Sequence, residues 1–154
     1  MDEELAAFRP ASAGPTALFL DTSALFAYFH PDTAEHDRIE SFFQRVGRNE
    51  IPYRPLYTST YVVDELVTLL LSKGTTEYAA SAMSRTLDSK SIDVIRESET
   101  AFEATRDRIE RYDDRTVSFT DQLSAVQMRE RDVSHVLAFD GDFETLGFQQ
   151  IPRE

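Results

Sequence analysis

A chain of 154 residues, 41% of them hydrophobic, has enough material for one domain with a proper core, which excludes a disordered protein. It has no cysteine, so a disulfide framework, a thiolate metal site and a thiol nucleophile are excluded, and no apolar run approaches the roughly 20 residues of a membrane span. With 28 acidic against 16 basic residues the net charge is −12, and Lys73 and Lys90 are the only lysines. That balance suits a surface kept soluble in high salt, as in a halophilic host, and it opposes unaided binding to nucleic acid.

In chain order, Met1-Asp2-Glu3-Glu4 is acidic where a secretory signal is basic, so a cytoplasmic protein is expected. Residues 1–16, with Pro10, Gly14 and Pro15 among small residues, read as a flexible leader, and residues 17–154 as the domain. The run Ala17–Asp21 predicts a first strand and Ala24–Phe29 a short helix. A second helix follows from Ala34 to Val46, with Ile39, Phe42, Phe43 and Val46 on one face. Pro52 and Pro55 bracket a break before a short strand, Leu56–Thr58. Ser59 or Thr60 can cap the next helix, which carries Val62, Val63, Leu66, Leu69 and Leu70 and ends at Gly74. A helix over Thr76–Leu87, a strand at Ile92–Ile95 and an amphipathic helix from Ser98 to about Tyr112–Asp114 come next. Ser118 or Thr120 caps a helix with Leu123, Val126 and Met128 inward, before a strand at Val136–Phe139, a short turn of helix and an edge strand at Phe148–Ile151. Apolar runs alternating with helical patterns predict an α/β fold around a mostly parallel sheet.

Four acidic residues stand where these elements meet: Asp21 and Asp140 after strands, Asp121 in the first turn of a helix, and Glu65 on an apolar helix face. Carboxylates at the carboxyl ends of parallel strands face the crevice where α/β sheets bind ligands. Brought together they repel, and each resists ionising unless a cation shares the site. With no cysteine and three histidines, the donor set favours a hard cation, Mg²⁺ or Mn²⁺, and metal-dependent chemistry on a phosphate ester. Each acid also has a plainer reading. Asp21 suits an N-cap, Asp121 suits the helix dipole, and Glu65 suits a buried ion pair. Asp140-Gly141-Asp142 suits a turn, with Asp142 as an outer ligand. Asp64, beside Glu65, falls toward solvent, and His30, His36 and His135 show no ligand spacing and read as surface or core-edge residues. Arg45, Arg48, Arg54 and Lys73 are candidate phosphate contacts, with solvated surface charge the plainer reading.

The motif Phe19-Leu20-Asp21-Thr22-Ser23-Ala24-Leu25, followed by Thr58-Ser59 and Val62-Val63-Asp64-Glu65-Leu66, resembles the first two motifs of PIN-domain proteins. Ser118-Phe119-Thr120-Asp121-Gln122-Leu123-Ser124-Ala125 resembles the third, and Leu137-Ala138-Phe139-Asp140-Gly141-Asp142-Phe143 with Gly147-Phe148 the last. Order and spacing run from Ala17 to Ile151, and the VapC-like toxin branch is the nearest likeness. The resemblance implies a PIN-like α/β/α sandwich and a Mg²⁺- or Mn²⁺-dependent endoribonuclease. Asp21, Glu65, Asp121 and Asp140 would carry its site, Asp142 would assist, and Ser23, Ser118 or Thr120 would supply hydroxyls. It also implies an RNA substrate, a cognate antitoxin and a homodimer. The acidic surface departs from the more basic groove of many relatives.

Rival readings fit less well. A dehalogenase-like phosphatase needs a second acid where Ser23 stands, and a receiver domain needs paired acids and a late lysine. A PIN-domain RNA-processing nuclease remains an alternative, as does a non-catalytic module for antitoxin binding or oligomerisation.

Overall fold

The structure is a computed structural model and describes residues 3–111 and 117–153. The elements, in order, are α1 (Glu3–Ala6), β1 (Thr16–Leu20), α2 (Thr22–Phe29), α3 (His36–Gly47), β2 (Tyr53–Ser59), α4 (Thr60–Lys73) and α5 (Thr76–Leu87). They continue as β3 (Ile92–Ile95), α6 (Glu99–Arg111), α7 (Phe119–Glu130), β4 (His135–Leu137), α8 (Asp142–Thr145) and β5 (Gln149–Ile151). The five strands form one sheet in the order β3-β2-β1-β4-β5, and every pairing is parallel. One group of helices, α2 to α5, packs together, as does a second group, α6 to α8. This is the expected α/β/α arrangement.

The strand order fixes where chemistry can occur. From β1 the chain winds one way to β2 and β3, then returns to place β4 and β5 on the other side. The reversal between β1 and β4 opens a crevice at their carboxyl ends, the usual ligand position in such sheets. Asp21 follows β1 and Asp140 lies three residues beyond β4, so both reach that crevice.

Several elements differ from the sequence-based expectation. The leader is part of the fold. Leu5 and Phe8 are fully buried, Phe8 stacks on Phe42 at 4.7 Å, and the Tyr53 hydroxyl donates to the Phe8 carbonyl. Strand β2 runs straight through Pro55 rather than beginning after it. Its register explains why: Thr16 pairs with Tyr53 but Leu18 with Leu56, so one extra residue of β2 bulges beside the proline, which lacks a ladder donor. Strand β4 stops at Leu137, because the amide of Phe139 is taken by the Ser23 hydroxyl at 3.0 Å. Helix α7 is buried from Asp121 through Met128 rather than on one stripe. The expected end of α6 at Tyr112–Asp114 lies outside the described residues. Among the described residues no helix is long and apolar enough to cross a membrane.

Candidate active site

Asp21 terminates β1 and caps α2. Its Oδ2 accepts from the Ser23 amide at 3.2 Å and the Ser23 hydroxyl at 2.8 Å. Its Oδ1 is buried with no hydrogen-bond donor among the described residues. The capping and ligand readings of this residue are therefore compatible, since they use different oxygens. Burial, reinforced by the charge of Asp140, lifts the Asp21 carboxyl to about 7 against the opposing hydrogen bonds from Ser23 and Thr22.

Asp121 enters from the first turn of α7. Ser118, rather than Thr120, caps that helix, its hydroxyl accepting from the Asp121 amide at 3.1 Å. The Asp121 carboxyl is pushed up to about 8, first by burial and then by the charges of Asp21, Asp140, Glu65 and Asp142. A residue that feels all four of the other carboxylates marks the centre of the group. Asp140 is also raised, mainly by burial and further by the Asp142 charge, while the Asp142 amide opposes this by donating to its Oδ1 at 3.3 Å.

One carboxylate oxygen from each of Asp121, Asp140 and Asp142 lies within 4.8 Å of the others. Glu65 is half-buried on α4 while Asp64 is exposed, so the choice between these neighbours follows the helix face. Beneath the acids, the Thr58 hydroxyl donates to the Leu20 carbonyl at 2.8 Å, and the Asp21 amide donates to the Leu137 carbonyl at 3.0 Å. These bonds lock the ends of β1, β2 and β4 together. The sequence marks Thr58 within a motif but not this bond, whose partner is 38 residues away.

Buried carboxylates without cationic partners cost several kcal/mol each. The all-oxygen donor set and the orphaned Asp21 Oδ1 suit a hard divalent cation. The histidines stay out of the group. His30 bonds the Lys73 carbonyl at 2.8 Å, His36 the Ala27 carbonyl at 2.9 Å, and His135 is buried within β4 rather than at the core edge. The four basic candidates also lie elsewhere. Arg45 pairs with Glu50 at 3.7 Å, and Arg48 leads out of α3 toward the start of β2, where Arg54 sits. Lys73 ends α4. In a parallel sheet the starts of strands and the ends of the helices leading into them lie opposite the carboxylates.

A model of the PIN domain matches residues 18–149. The chain belongs to the PIN-domain family. It is 29% identical over 137 residues to the 23S rRNA-specific endonuclease VapC20 of Mycobacterium tuberculosis, covering 89% of this chain and 99% of that protein. The crystal structure of M. tuberculosis VapC20, a sarcin–ricin loop cleaving toxin, superposes with a TM-score of 0.75 over 85% of this chain and 95% of that one. VapBC2 from Rickettsia felis, bound to a DNA fragment from its promoter, shares the fold with a TM-score of 0.62 at 13% identity over 88% of this chain and 97% of that one. FitAcB from Neisseria gonorrhoeae does so with a TM-score of 0.56 at 14% identity, over 86% and 95% of the two chains. Family, fold and relatives together place this chain beside VapC-type PIN-domain proteins.

Proposed function

We propose that this protein hydrolyses RNA phosphodiester bonds at a divalent-cation site built from Asp21, Glu65, Asp121 and Asp140, assisted by Asp142. The observation that supports this best is the convergence of Asp121, Asp140 and Asp142 oxygens within 4.8 Å, beside a buried Asp21 oxygen that accepts no hydrogen bond from any N–H or O–H of the described residues. Mg²⁺ or Mn²⁺ bound there supplies Lewis acidity toward a phosphoryl oxygen and lowers the pKa of water. The protein's own part is positional. Ser23 fixes Asp21 through two hydrogen bonds and fixes the Asp140 segment through the Phe139 amide. Ser118 holds the first turn of α7, and with it Asp121. Thr120 lies half-buried in that same turn as a further supporting hydroxyl.

The likeness to VapC20 supports a ribosomal RNA loop as substrate and a toxin's role, with a cognate antitoxin as inhibitor. A homodimer in the cytoplasm of a halophilic host completes the proposal, the last on the net charge of −12. The test is cleavage of a labelled ribosomal RNA stem–loop with Mg²⁺, Mn²⁺ or EDTA. Cleavage should need the cation and fall about a hundredfold or more in Asp121→Asn, as loss of a metal-holding carboxylate requires. Wild-type cleavage by that variant would overturn the site.

A further inference from the structure

The acidic group is flanked by an aromatic surface that the hydrolytic chemistry does not use. Tyr61 precedes Glu65 by one helical turn on α4, so the two side chains share a face. Phe119 opens α7 two residues before Asp121. The Tyr61 and Phe119 rings lie 5.9 Å apart at 34°, and Phe102 of α6 meets Phe119 at 5.1 Å and 49°. The cluster rests on buried Ala101, Leu123 and Val126, which fix its floor. Its top is open: Tyr61 and Phe119 are half-buried, and Phe102 is 37% exposed, the one aromatic among the exposed large hydrophobics described. The neighbouring connection is also tied down, because the Thr60 hydroxyl donates to Glu97 at 2.7 Å. Exposed Arg96 follows β3 at the same carboxyl end of the sheet as the carboxylates.

The geometry points to a stacking platform, Tyr61, Phe119 and Phe102, that seats an unpaired nucleobase of the RNA next to the cleaved bond. This rests on the reading that the substrate is RNA, and it answers a question which that reading raises. A chain of net charge −12 cannot draw a polyanion by its overall field. Base stacking on aromatic rings strengthens binding by roughly five- to a hundredfold per base and needs no cationic surface. Stacking also selects looped or single-stranded RNA, whose bases are free to splay out. Arg96 would meet an adjoining phosphate, and stacking would supply the affinity that survives salt.

The experiment measures KM and kcat on a labelled ribosomal RNA stem–loop at 0.1 M and 1 M KCl. Phe102→Ala should raise KM about tenfold at both salt concentrations, with kcat within about twofold of wild type. Phe102→Trp should restore KM and Phe102→Leu should not, since leucine returns apolar bulk without a ring face. An unchanged KM in Phe102→Ala and in a Tyr61→Leu/Phe102→Ala double variant would overturn the platform, as would rescue by leucine. A change of mass by light scattering in Phe102→Ala would overturn it too, by assigning this face to a second copy of the chain. If wild type cuts no RNA with either cation, the proposed function falls and takes the platform with it. If wild type cuts and the variants match it, the platform alone falls.

Discussion

Asp21 shows how one side chain serves fold and site together. Its Oδ2 caps α2 through Ser23 while Oδ1 stays buried with no donor among the described residues. Ser23 is the hinge of that arrangement, because the same hydroxyl accepts from the Phe139 amide. Ser23→Ala removes a donor to a buried carboxylate and an acceptor for a backbone amide. It should destabilise the fold by roughly 1–3 kcal/mol, read from urea denaturation, and reduce metal-dependent cleavage. The acids also set a pH dependence with a definite sign. Folding raises Asp21 from 3.8 to about 7 and Asp121 from 3.8 to about 8, so between those limits the folded state binds more protons than the unfolded chain. In metal-free protein that stability is fully present below the lower limit and is lost as pH rises through the upper one. The melting temperature without divalent cations should therefore be lower at pH 8 than at pH 5, by about 5 °C or more. Mn²⁺ should reverse the loss at pH 8, since a ligand of the folded state alone stabilises it. Asp121→Asn should flatten the profile and raise the metal-free melting temperature at pH 8. A profile that rises with pH in metal-free wild type would contradict the electrostatic account.

At the level of elements, the N-terminal segment departs furthest from its sequence. Pro10, Gly14, Pro15 and the small residues between them carry no helical or strand period, so the segment reads as a leader. What holds it is long-range: Phe8 stacks on Phe42, Tyr53 bonds its carbonyl, and Arg153 donates to the Arg9 carbonyl at 2.7 Å. Phe8→Ala should cost about 3–5 kcal/mol in denaturant unfolding, as for other buried phenylalanines, whereas a loose leader would tolerate it. The same distinction separates what was legible elsewhere. Asp21, Glu65, Asp121 and Asp140 could be picked out because strand ends, caps and helix faces are local patterns. Strand β2 through Pro55 could not, because the bulge that admits the proline belongs to its pairing with β1. The full burial of α7 was equally hidden. Gln122, Ser124 and Gln127 are polar by sequence yet buried, so an amphipathic reading gave that helix a solvent face it lacks. The platform around Phe119 has a local trace in the Tyr61–Glu65 spacing, but Phe102 joins it only through packing of α6 on α7.

For the molecule as a whole, the question is what a net charge of −12 does to a small fold with an acidic centre. Two effects of salt must be separated. Screening weakens self-repulsion between surface charges, but it saturates, because the Debye length has already fallen from about 10 Å at 0.1 M to about 3 Å at 1 M. A surface adapted to concentrated salt should continue to gain beyond that point. Within the acidic centre Asp21 and Asp121 are buried and are screened much less than the surface. The melting temperature in KCl should therefore rise steeply up to about 1 M in wild type and Asp121→Asn alike, since this part comes from the shared surface. If the protein belongs to a halophilic cytoplasm, the rise should persist to about 3 M, well past the range that screening accounts for. A plateau above 1 M would leave self-repulsion as the whole effect and remove the halophilic reading. Adding Mn²⁺ at each salt concentration separates the centre from the surface. Its stabilisation should vanish in Asp121→Asn at every KCl concentration, while the salt-driven rise remains.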